Sequence, residues 1–304
     1  MFRDGAGTST TRRPGRLRAR AGADRLSAAG SACAAAPDLQ AHRLAHSAAT
    51  FTRAQLADLM HAPDWYPSEH PTMPTLVADG AARVYACGFC HLPNGFGRPE
   101  NASLAGLPAA YIVKQVQDIA HGVRASAIAN RAPTTFMQTL SRTAANDPGL
   151  AEAAGYFAAI TYTPMTRIVE TAEIPAVDVA GWIYRKRPGR EALGARIVEV
   201  ADDVEQFELR DPHATYTAYV PIGSIAKGEP LAQSCLACHG PGLRGSPIAP
   251  PIAGRSPTYI ARQLIDMRSG TRHGEGAKLM APIVTALTND DVIALAAFAG
   301  SRVP

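Results

Sequence analysis

The sequence contains the motif Cys-x-x-Cys-His twice, at residues 87–91 and 235–239. This motif is the attachment signature of c-type haem. On a short helix its first, fourth and fifth residues lie on one face, so two thiols can bond the vinyl groups of one porphyrin while the imidazole faces the iron. The sequence therefore predicts two covalently attached haem c groups, with the cysteines as attachment points and the histidines as iron ligands: Cys87, Cys90 and His91, then Cys235, Cys238 and His239.

Two other chemistries use paired cysteines, and both fit less well. A zinc ribbon usually holds its two Cys-x-x-Cys pairs within about 15–20 residues of each other, whereas these pairs are 148 residues apart. Zinc binding also does not require a histidine after each second cysteine. A thioredoxin-like redox pair would follow a strand in a βαβ pattern, and neither motif does. The motifs therefore favour haem attachment over zinc or dithiol chemistry.

The motifs belong to an internal repeat with a constant offset of 148 residues. Self-similarity at a fixed offset indicates one structural unit used twice, so each unit must supply its own iron ligands and its own core. The offset also pairs residues well outside the motifs: Gly80 with Gly228, Gly97 with Gly245, Gly106 with Gly254, Tyr111 with Tyr259, Gln115 with Gln263, Asp118 with Asp266, Gly122 with Gly270, and Arg124 with Arg272.

Each unit is predicted to contain a motif helix, a long irregular loop, a middle helix, a ligand loop and a closing helix. Apolar residues spaced i, i+4 and i+7 mark the middle helices, and a glycine follows each at the expected stop. The closing helices are predicted at about 148–160 and 290–299, each after an Asn-Asp pair suited to an N-cap. The residues behind these predictions are Pro108, Ile112, Val116, Ile119 and Gly122; Ile260, Leu264, Met267 and Gly270; and Asn146-Asp147 and Asn289-Asp290.

A methionine precedes each Asn-Asp pair by nine positions, Met137 in the first unit and Met280 in the second. A thioether suits haem iron, and His/Met ligation raises the reduction potential. The matched positions favour these two residues as the sixth iron ligands. The alternative is that each methionine only fills space in a core. Met73 and His70 are weaker candidates for the first iron.

Each unit resembles a class I, mitochondrial-type cytochrome c domain, through its haem motif and its matched methionine. The tandem resembles the bacterial diheme cytochromes c that carry electrons in the periplasm. The resemblance implies a mainly α fold in which each small helical unit encloses one haem. It also implies haem propionates that need hydrogen-bond donors where they are buried. The candidate donors are Tyr111, Arg124, Tyr259 and Arg272, which could instead be ordinary surface side chains.

The expected fold is two cytochrome c haem domains in tandem with a small β-containing insert between them. Five segments are predicted: a signal-like or disordered arm at 1–45, an extended strap at 46–79, the first cytochrome c domain at 80–163, the β-rich insert at 164–227, and the second cytochrome c domain at 228–304.

The predicted insert is rich in Val, Ile and Thr in alternating patterns. Strands are expected at 196–200, 206–209 and 215–220, with turn signals at 187–189 and at Asp211-Pro212. Simple linkers are polar and poor in aromatic residues, and this segment has five. The insert is therefore expected to pack on one or both haem units, as a structural element rather than as a partner-docking surface.

The basic character of the chain is confined to its N-terminal arm. Residues 1–25 hold seven Arg and two Asp, a net charge of +5, whereas the whole chain carries +4, so the remainder sums to −1. This distribution gives no ground for nucleic-acid binding. The resemblance implies export to the periplasm, although the arm lacks a clear apolar signal core. No stretch approaches the ~18 apolar residues of a transmembrane span. Peripheral membrane association and lipid modification of Cys33 are open alternatives.

The expected function is that of a soluble diheme electron carrier, not an enzyme. Its partners would be redox proteins: a periplasmic dehydrogenase or cytochrome complex on one side, and an oxidase or other acceptor on the other. One alternative is a peroxidase-like haem enzyme with one open or displaceable iron site. Another is a dedicated cytochrome subunit of a dehydrogenase. A methionine at the matched position of both units favours the carrier, because a carrier keeps both irons six-coordinate.

Overall fold

The computed structural model describes residues 40–304. The first 39 residues of the predicted arm, Cys33 among them, lie outside the described residues. The described part is built from helices and a β-sheet. Its α-helices, α1 to α12, are Arg53–Leu56, Thr75–Ala78, Cys87–His91, Ala109–Ala120, Ala132–Ala144, Leu150–Ala159, Val204–Glu208, Ser224–Leu231, Gln233–His239, Pro257–Arg268, Glu275–Thr285 and Asn289–Gly300. A 3-10 helix covers Pro241–Leu243.

The same order of helices occurs along the chain before and after the strands of the main sheet. Each haem motif forms a short helix, α3 or α9, followed by an irregular loop and a middle helix, α4 or α10. The two predicted middle helices are confirmed, and so are their ends, because Gly122 and Gly270 follow with φ of +74° and +76°. A residue without a Cβ adopts this left-handed conformation at no steric cost, which stops the helix.

The closing helices are confirmed at α6 and α12, but the predicted N-caps are wrong. Thr288, not the Asn-Asp pair, caps α12: its side chain accepts a hydrogen bond from the Asp291 amide, and the Asp291 side chain accepts one from the Thr288 amide. Helix α6 follows Gly149, whose amide donates to the Asp147 carboxylate at 2.8 Å. A reciprocal capping box satisfies two helix-end donors, which a single Asn side chain does not.

The two segments predicted as ligand loops are helical instead. Met137 lies in α5 and Met280 in α11. Helix α5 carries Pro133 in its first turn, where proline has no hydrogen bond to lose. Four of the residues after it are threonines, which are weak helix formers, so packing of α5 into the first core rather than local propensity accounts for the helix. Pro282 lies inside α11, two residues beyond Met280, and removes a hydrogen bond there.

The sheet occupies the segment between the two sets of helices. A two-residue pair, β1 (Ala41–His42) with β2 (Phe51–Thr52), lies apart from it. The main sheet has the strand order β3-β7-β6-β5-β4 and mixes parallel and antiparallel pairs. Its strands β3 to β7 are Thr166–Glu170, Glu173–Ala180, Ile183–Ala192, Val198–Ala201 and Tyr216–Val220.

Two details of the predicted insert are wrong. Residues 206–209 are not a strand, because Asp203 accepts hydrogen bonds from the Glu205 and Gln206 amides and starts helix α7. Residues 187–189 are not a turn between strands. They form a bulge within β5 with two extra residues, since the pairing moves four positions from Arg190 to Lys186 while β4 advances only two. Pro and Gly in a strand commonly mark a bulge.

Each set of helices surrounds its own hydrophobic core. The first core includes residues of α4, α5 and α6, and the second includes residues of α10, α11 and α12. Leu76 and Val77 belong to the first core, so the segment 46–79 is not extended throughout: helix α2 at its end packs into the first unit. Trp65, farther back in the same segment, is fully buried with Leu56 and Leu209.

Gly228 and Gly80, paired by the repeat, serve different purposes. Gly80 is in a turn with φ of +67°. Gly228 is in helix α8, and a Cβ there would lie 2.2 Å from the Ala294 carbonyl oxygen and 2.6 Å from the Phe298 Cβ, both in α12. The missing side chain therefore lets α8 and α12 approach closely.

Replacing Gly228 with alanine is expected to destabilise the protein by about 1–3 kcal/mol, because the α12 backbone cannot move away easily from the added methyl group. Gly155→Ala is the matched control, since Gly155 is also in a helix and a Cβ there would meet nothing within 4 Å. That change is expected to stabilise by about 0.5–1 kcal/mol. Denaturant unfolding followed by circular dichroism measures both. Equal effects of the two variants would contradict the close packing of α8 on α12.

Candidate haem sites

The two motif histidines are held in the same way. His91 Nδ1 lies 2.7 Å from the Ala102 carbonyl oxygen, and His239 Nδ1 lies 2.8 Å from the Pro250 carbonyl oxygen, each partner eleven residues after its histidine. A carbonyl only accepts, so Nδ1 carries the proton and Nε2 keeps its lone pair. Burial lowers the pKa of both imidazoles, which favours this neutral form. Both are therefore prepared to donate Nε2 to a metal.

The four motif cysteines are free thiols and partly buried. Burial raises the pKa of the Cys87 thiol to about 12, and it also raises the pKa of Cys90 and Cys235. Within residues 40–304 no group of three or more His, Cys, Asp or Glu side chains is placed to share a metal ion. The two Cys-x-x-Cys pairs thus do not combine into a four-thiolate zinc site.

A deep, largely apolar pocket opens beside the first motif helix. Its empty space, open mouth included, is about 1470 Å³. The motif residues, the candidate methionine and apolar side chains of α4, α5 and α6 share its wall. Residues of this wall include Cys87, Cys90, His91, Leu107, Ile112, Val116, Met137, Leu140 and Leu150. The donor set and the apolar wall fit a haem c group, which needs two thiols, an imidazole and a large apolar enclosure.

Each candidate sixth ligand packs against the same hydrophobic core as the first cysteine of its own motif. Met137 and Cys87 pack against the first core, and Met280 and Cys235 pack against the second. Met73 also packs against the first core. His70 is committed elsewhere: its Nε2 lies 3.1 Å from the Asp64 carboxylate, and its Nδ1 lies 2.9 Å from the Pro71 carbonyl oxygen. Each methionine at the matched position thus packs against the same core as the motif of its own unit.

The four candidate propionate donors meet one another across the two units. Arg124 donates from Nη2 to the Tyr259 hydroxyl at 2.9 Å, and Arg272 donates from Nη2 to the Tyr111 hydroxyl at 3.1 Å. Each arginine also binds the glutamine side chains of both units, Gln115 and Gln263.

The backbone follows the same crossed pattern at this contact. The Ala125 amide donates to the Thr271 carbonyl oxygen, and the His273 amide donates to the Val123 carbonyl oxygen, both at 2.8 Å. The two repeats therefore contact each other about a local two-fold axis, with Tyr111, Arg124 and Tyr259 in the wall of the first pocket.

Two arginines in that wall were not predicted from the sequence. Arg262 of the second unit donates to the Pro99 carbonyl oxygen at 3.0 Å, and burial lowers its pKa to about 10. Arg131 lies nearby, and burial lowers its pKa as well. Comparison of the two repeats did not indicate a role for Arg262, because its counterpart is Lys114, which pairs with Asp118 instead. A visible sign was its position three residues after Tyr259, on the same face of α10.

Residues of the insert form hydrogen bonds to the first motif helix and to the loop that follows it. Arg210, in the loop before β7, donates to the Phe89 carbonyl oxygen at 2.9 Å and lies 3.6 Å from the centre of the Phe89 ring. The neighbouring Pro212 carbonyl accepts from Asn94 at 2.9 Å, and the Leu209 carbonyl accepts from Trp65 at 2.8 Å. Phe89 is buried as a result, whereas Ala237, two residues before His239 in the second motif, is exposed.

Among residues 40–304, no single helix has the length and apolar composition needed to cross a membrane. Helices α11 and α12 meet those criteria only when taken together, and they are bent by 119° at the break between them.

Comparison with known proteins agrees with the site. The model of the Cytochrome c family matches residues 225–301. The chain is similar to cytochrome c4 of Pseudomonas aeruginosa, with 29% identity over 225 residues that cover 73% of this chain and 86% of that protein. It is also similar to the thiosulfate dehydrogenase electron acceptor of Stutzerimonas stutzeri, with 29% identity over 217 residues, 70% of this chain and 77% of that protein. Cytochrome c-554(548) of Halomonas halodenitrificans is 37% identical over 81 residues, 26% of this chain and 98% of that protein. With its two haem motifs, each histidine fixed through Nδ1, this chain belongs to the cytochrome c family.

Proposed function

We propose that this protein is a periplasmic diheme electron carrier in which both irons have His/Met ligation. The observation that carries the proposal is the matched pair of sites. Each motif histidine is fixed through Nδ1 to a carbonyl eleven residues later, and each motif shares its core with a methionine nine residues before an Asn-Asp pair. Two equivalent and closed iron sites suit electron transfer, since little rearranges when the redox state changes.

Each proposed haem has two cysteines for covalent attachment and a histidine and a methionine as axial ligands. Cys87 and Cys90 would hold the first haem, with His91 and Met137 as its axial ligands. Cys235 and Cys238 would hold the second haem, with His239 and Met280. The haem supplies the one-electron redox chemistry, and the protein sets its potential through ligand identity and exclusion of water. The tandem would comprise two haem domains, 80–163 and 228–304, joined by the insert at 164–227.

The proposed propionate donors are Tyr111 and Tyr259, with Arg124 and Arg272 behind them. In the structure each tyrosine hydroxyl accepts from an arginine of the other unit. Each hydroxyl therefore keeps its own proton to donate to a carboxylate. The arginines stabilise negative charge nearby, and buried carboxylates need such partners.

Redox proteins are the proposed partners, with a dehydrogenase as electron donor. Relatives of this chain are named as a thiosulfate dehydrogenase electron acceptor and as a cytochrome subunit of sulfide dehydrogenase. The periplasm is the proposed location, because bacterial haem c is attached outside the cytoplasm. An oxidase or another cytochrome would accept the electrons.

The test is the absorption spectrum of the reduced holoprotein with and without carbon monoxide, normalised per haem. We expect neither haem to bind the gas, because a methionine occupies the sixth position of each iron. Ready binding at one or both haems would contradict the carrier with two closed sites and would favour a peroxidase-like enzyme with an open iron.

A further inference from the structure

The tip of the β4–β5 hairpin reaches from the insert to the first haem pocket. Ala180 pairs with Ile183, so Gly181 and Trp182 form a two-residue loop. Gly181 has φ of +64°, and glycine at the first position of such a loop is typical of a type II′ turn. A tight turn of this kind fixes the backbone at Trp182 and places it at the tip of the hairpin.

The Trp182 ring contributes to the wall of the pocket and contacts helix α5. Its centre lies 5.8 Å from that of Phe136, with 55° between the ring planes. Phe136 in turn stacks on Tyr85, at 5.7 Å and 19°. The three rings form a continuous row from the hairpin to the residue two positions before Cys87. Phe136, the middle ring of the row, directly precedes Met137, so the row contacts the backbone that carries the candidate ligand.

The second unit has no counterpart of this cover among the described residues. The residue before Met280 is Leu279, which is 68% exposed. Phe136, at the same position relative to Met137, is only partly exposed because the hairpin lies against it. Trp182 is 44% exposed, so one side of its ring faces water while the other faces the pocket. The insert therefore covers the residue before Met137 in α5 but leaves the residue before Met280 in α11 exposed.

We propose that Trp182 is a positioning residue for the first iron: it closes the mouth of the pocket and holds helix α5 so that Met137 stays directed at the metal. The proposal rests on the proposed function, in which Met137 is the sixth ligand. Ligands on mobile elements exchange readily unless neighbouring groups fix them. An aromatic contact stabilises the arrangement beyond its buried area, and this one acts on the residue next to the ligand.

The experiment compares the Trp182→Ala, Trp182→Phe and Val179→Ala variants of the holoprotein. Val179 is on β4 of the same hairpin and is 71% exposed, so its truncation controls for changes to the insert. Three readouts apply: carbon monoxide binding per haem, the reduction potential of each haem, and the ring-current-shifted methyl signals of the two coordinated methionines in proton NMR. Circular dichroism confirms that the variants are folded.

In Trp182→Ala we expect one haem to bind carbon monoxide, which neither haem of the wild-type protein does, and one methionine methyl signal to broaden or move. The reduction potential of that haem should fall, since loss of the thioether favours the oxidised iron. Phenylalanine should restore the wild-type spectrum, and Val179→Ala should leave it unchanged. Wild-type behaviour of a folded Trp182→Ala protein would overturn the proposal. Carbon monoxide binding by the wild-type protein would instead overturn the proposed function, so the two failures are distinguishable.

Discussion

Replacing Met280 with alanine is expected to open one of the two irons, so that one haem per chain binds carbon monoxide and its reduction potential falls by about 0.1 V or more. The methyl group of alanine cannot reach the metal, and a thioether stabilises the reduced iron. Met137→Ala should have the same effect on the other haem, and the double variant should bind two molecules of the gas. Optical titration with carbon monoxide and spectroelectrochemistry measure both quantities.

Met267 provides the control for this experiment. It is buried in the second core on α10, close to the same unit but not at the ligand position. Met267→Leu removes a thioether at nearly constant volume, so only a small loss of stability is expected. If Met280→Ala kept its potential and stayed closed to carbon monoxide, the ligand would be another residue.

A chain that carries no haem is expected to lose its cooperative unfolding transition. Serine at all four motif positions, Cys87, Cys90, Cys235 and Cys238, prevents thioether formation. Only 6% of the residues are aromatic, so the porphyrin would be the largest apolar group in each unit, and a fold that depends on its cofactor is poorly formed without it. Thermal melting followed by circular dichroism is the measurement.

The two half-variants are its controls. Serine at Cys87 and Cys90 alone, or at Cys235 and Cys238 alone, should reduce the haem content from two per chain to one, measured as the pyridine haemochrome. The remaining unit should keep a transition of smaller amplitude. A native-like cooperative melt of the haem-free chain would show that the protein core suffices without the cofactor.

Periodicity and spacing predict the parts of this fold that repeat locally. The apolar stripes of α4 and α10 and the glycines that end them are visible in the sequence because each depends on residues within one or two turns. The same holds for the motif helices, where covalent chemistry sets the spacing. Short-range patterns therefore identified the motif, middle and closing helices of both units and the residues that could attach haem, but they missed the helices α5 and α11.

Features that depend on distant partners were not predicted. Helix α7 was missed for a different, local reason: the Asp203 cap starts a helix where an alternating pattern suggested a strand. Arg262 reaches the wall of the other unit's pocket, and Arg210 fixes the first motif helix from 121 positions away. Such contacts follow from the way the elements pack. The residues adjacent in sequence carry no pattern from which these contacts could be predicted.

The crossed contacts between Arg124, Tyr259, Arg272 and Tyr111 are those of an isologous dimer, yet both halves are in one polypeptide. In a homodimer every substitution occurs twice, once on each side of the axis. Here the halves are encoded separately, so each can change alone. Position 262 is Arg where its counterpart, position 114, is Lys, and the two have different partners. Duplication within one chain thus keeps the geometry of a symmetric pair while allowing the contacts around one cofactor to change independently of the other.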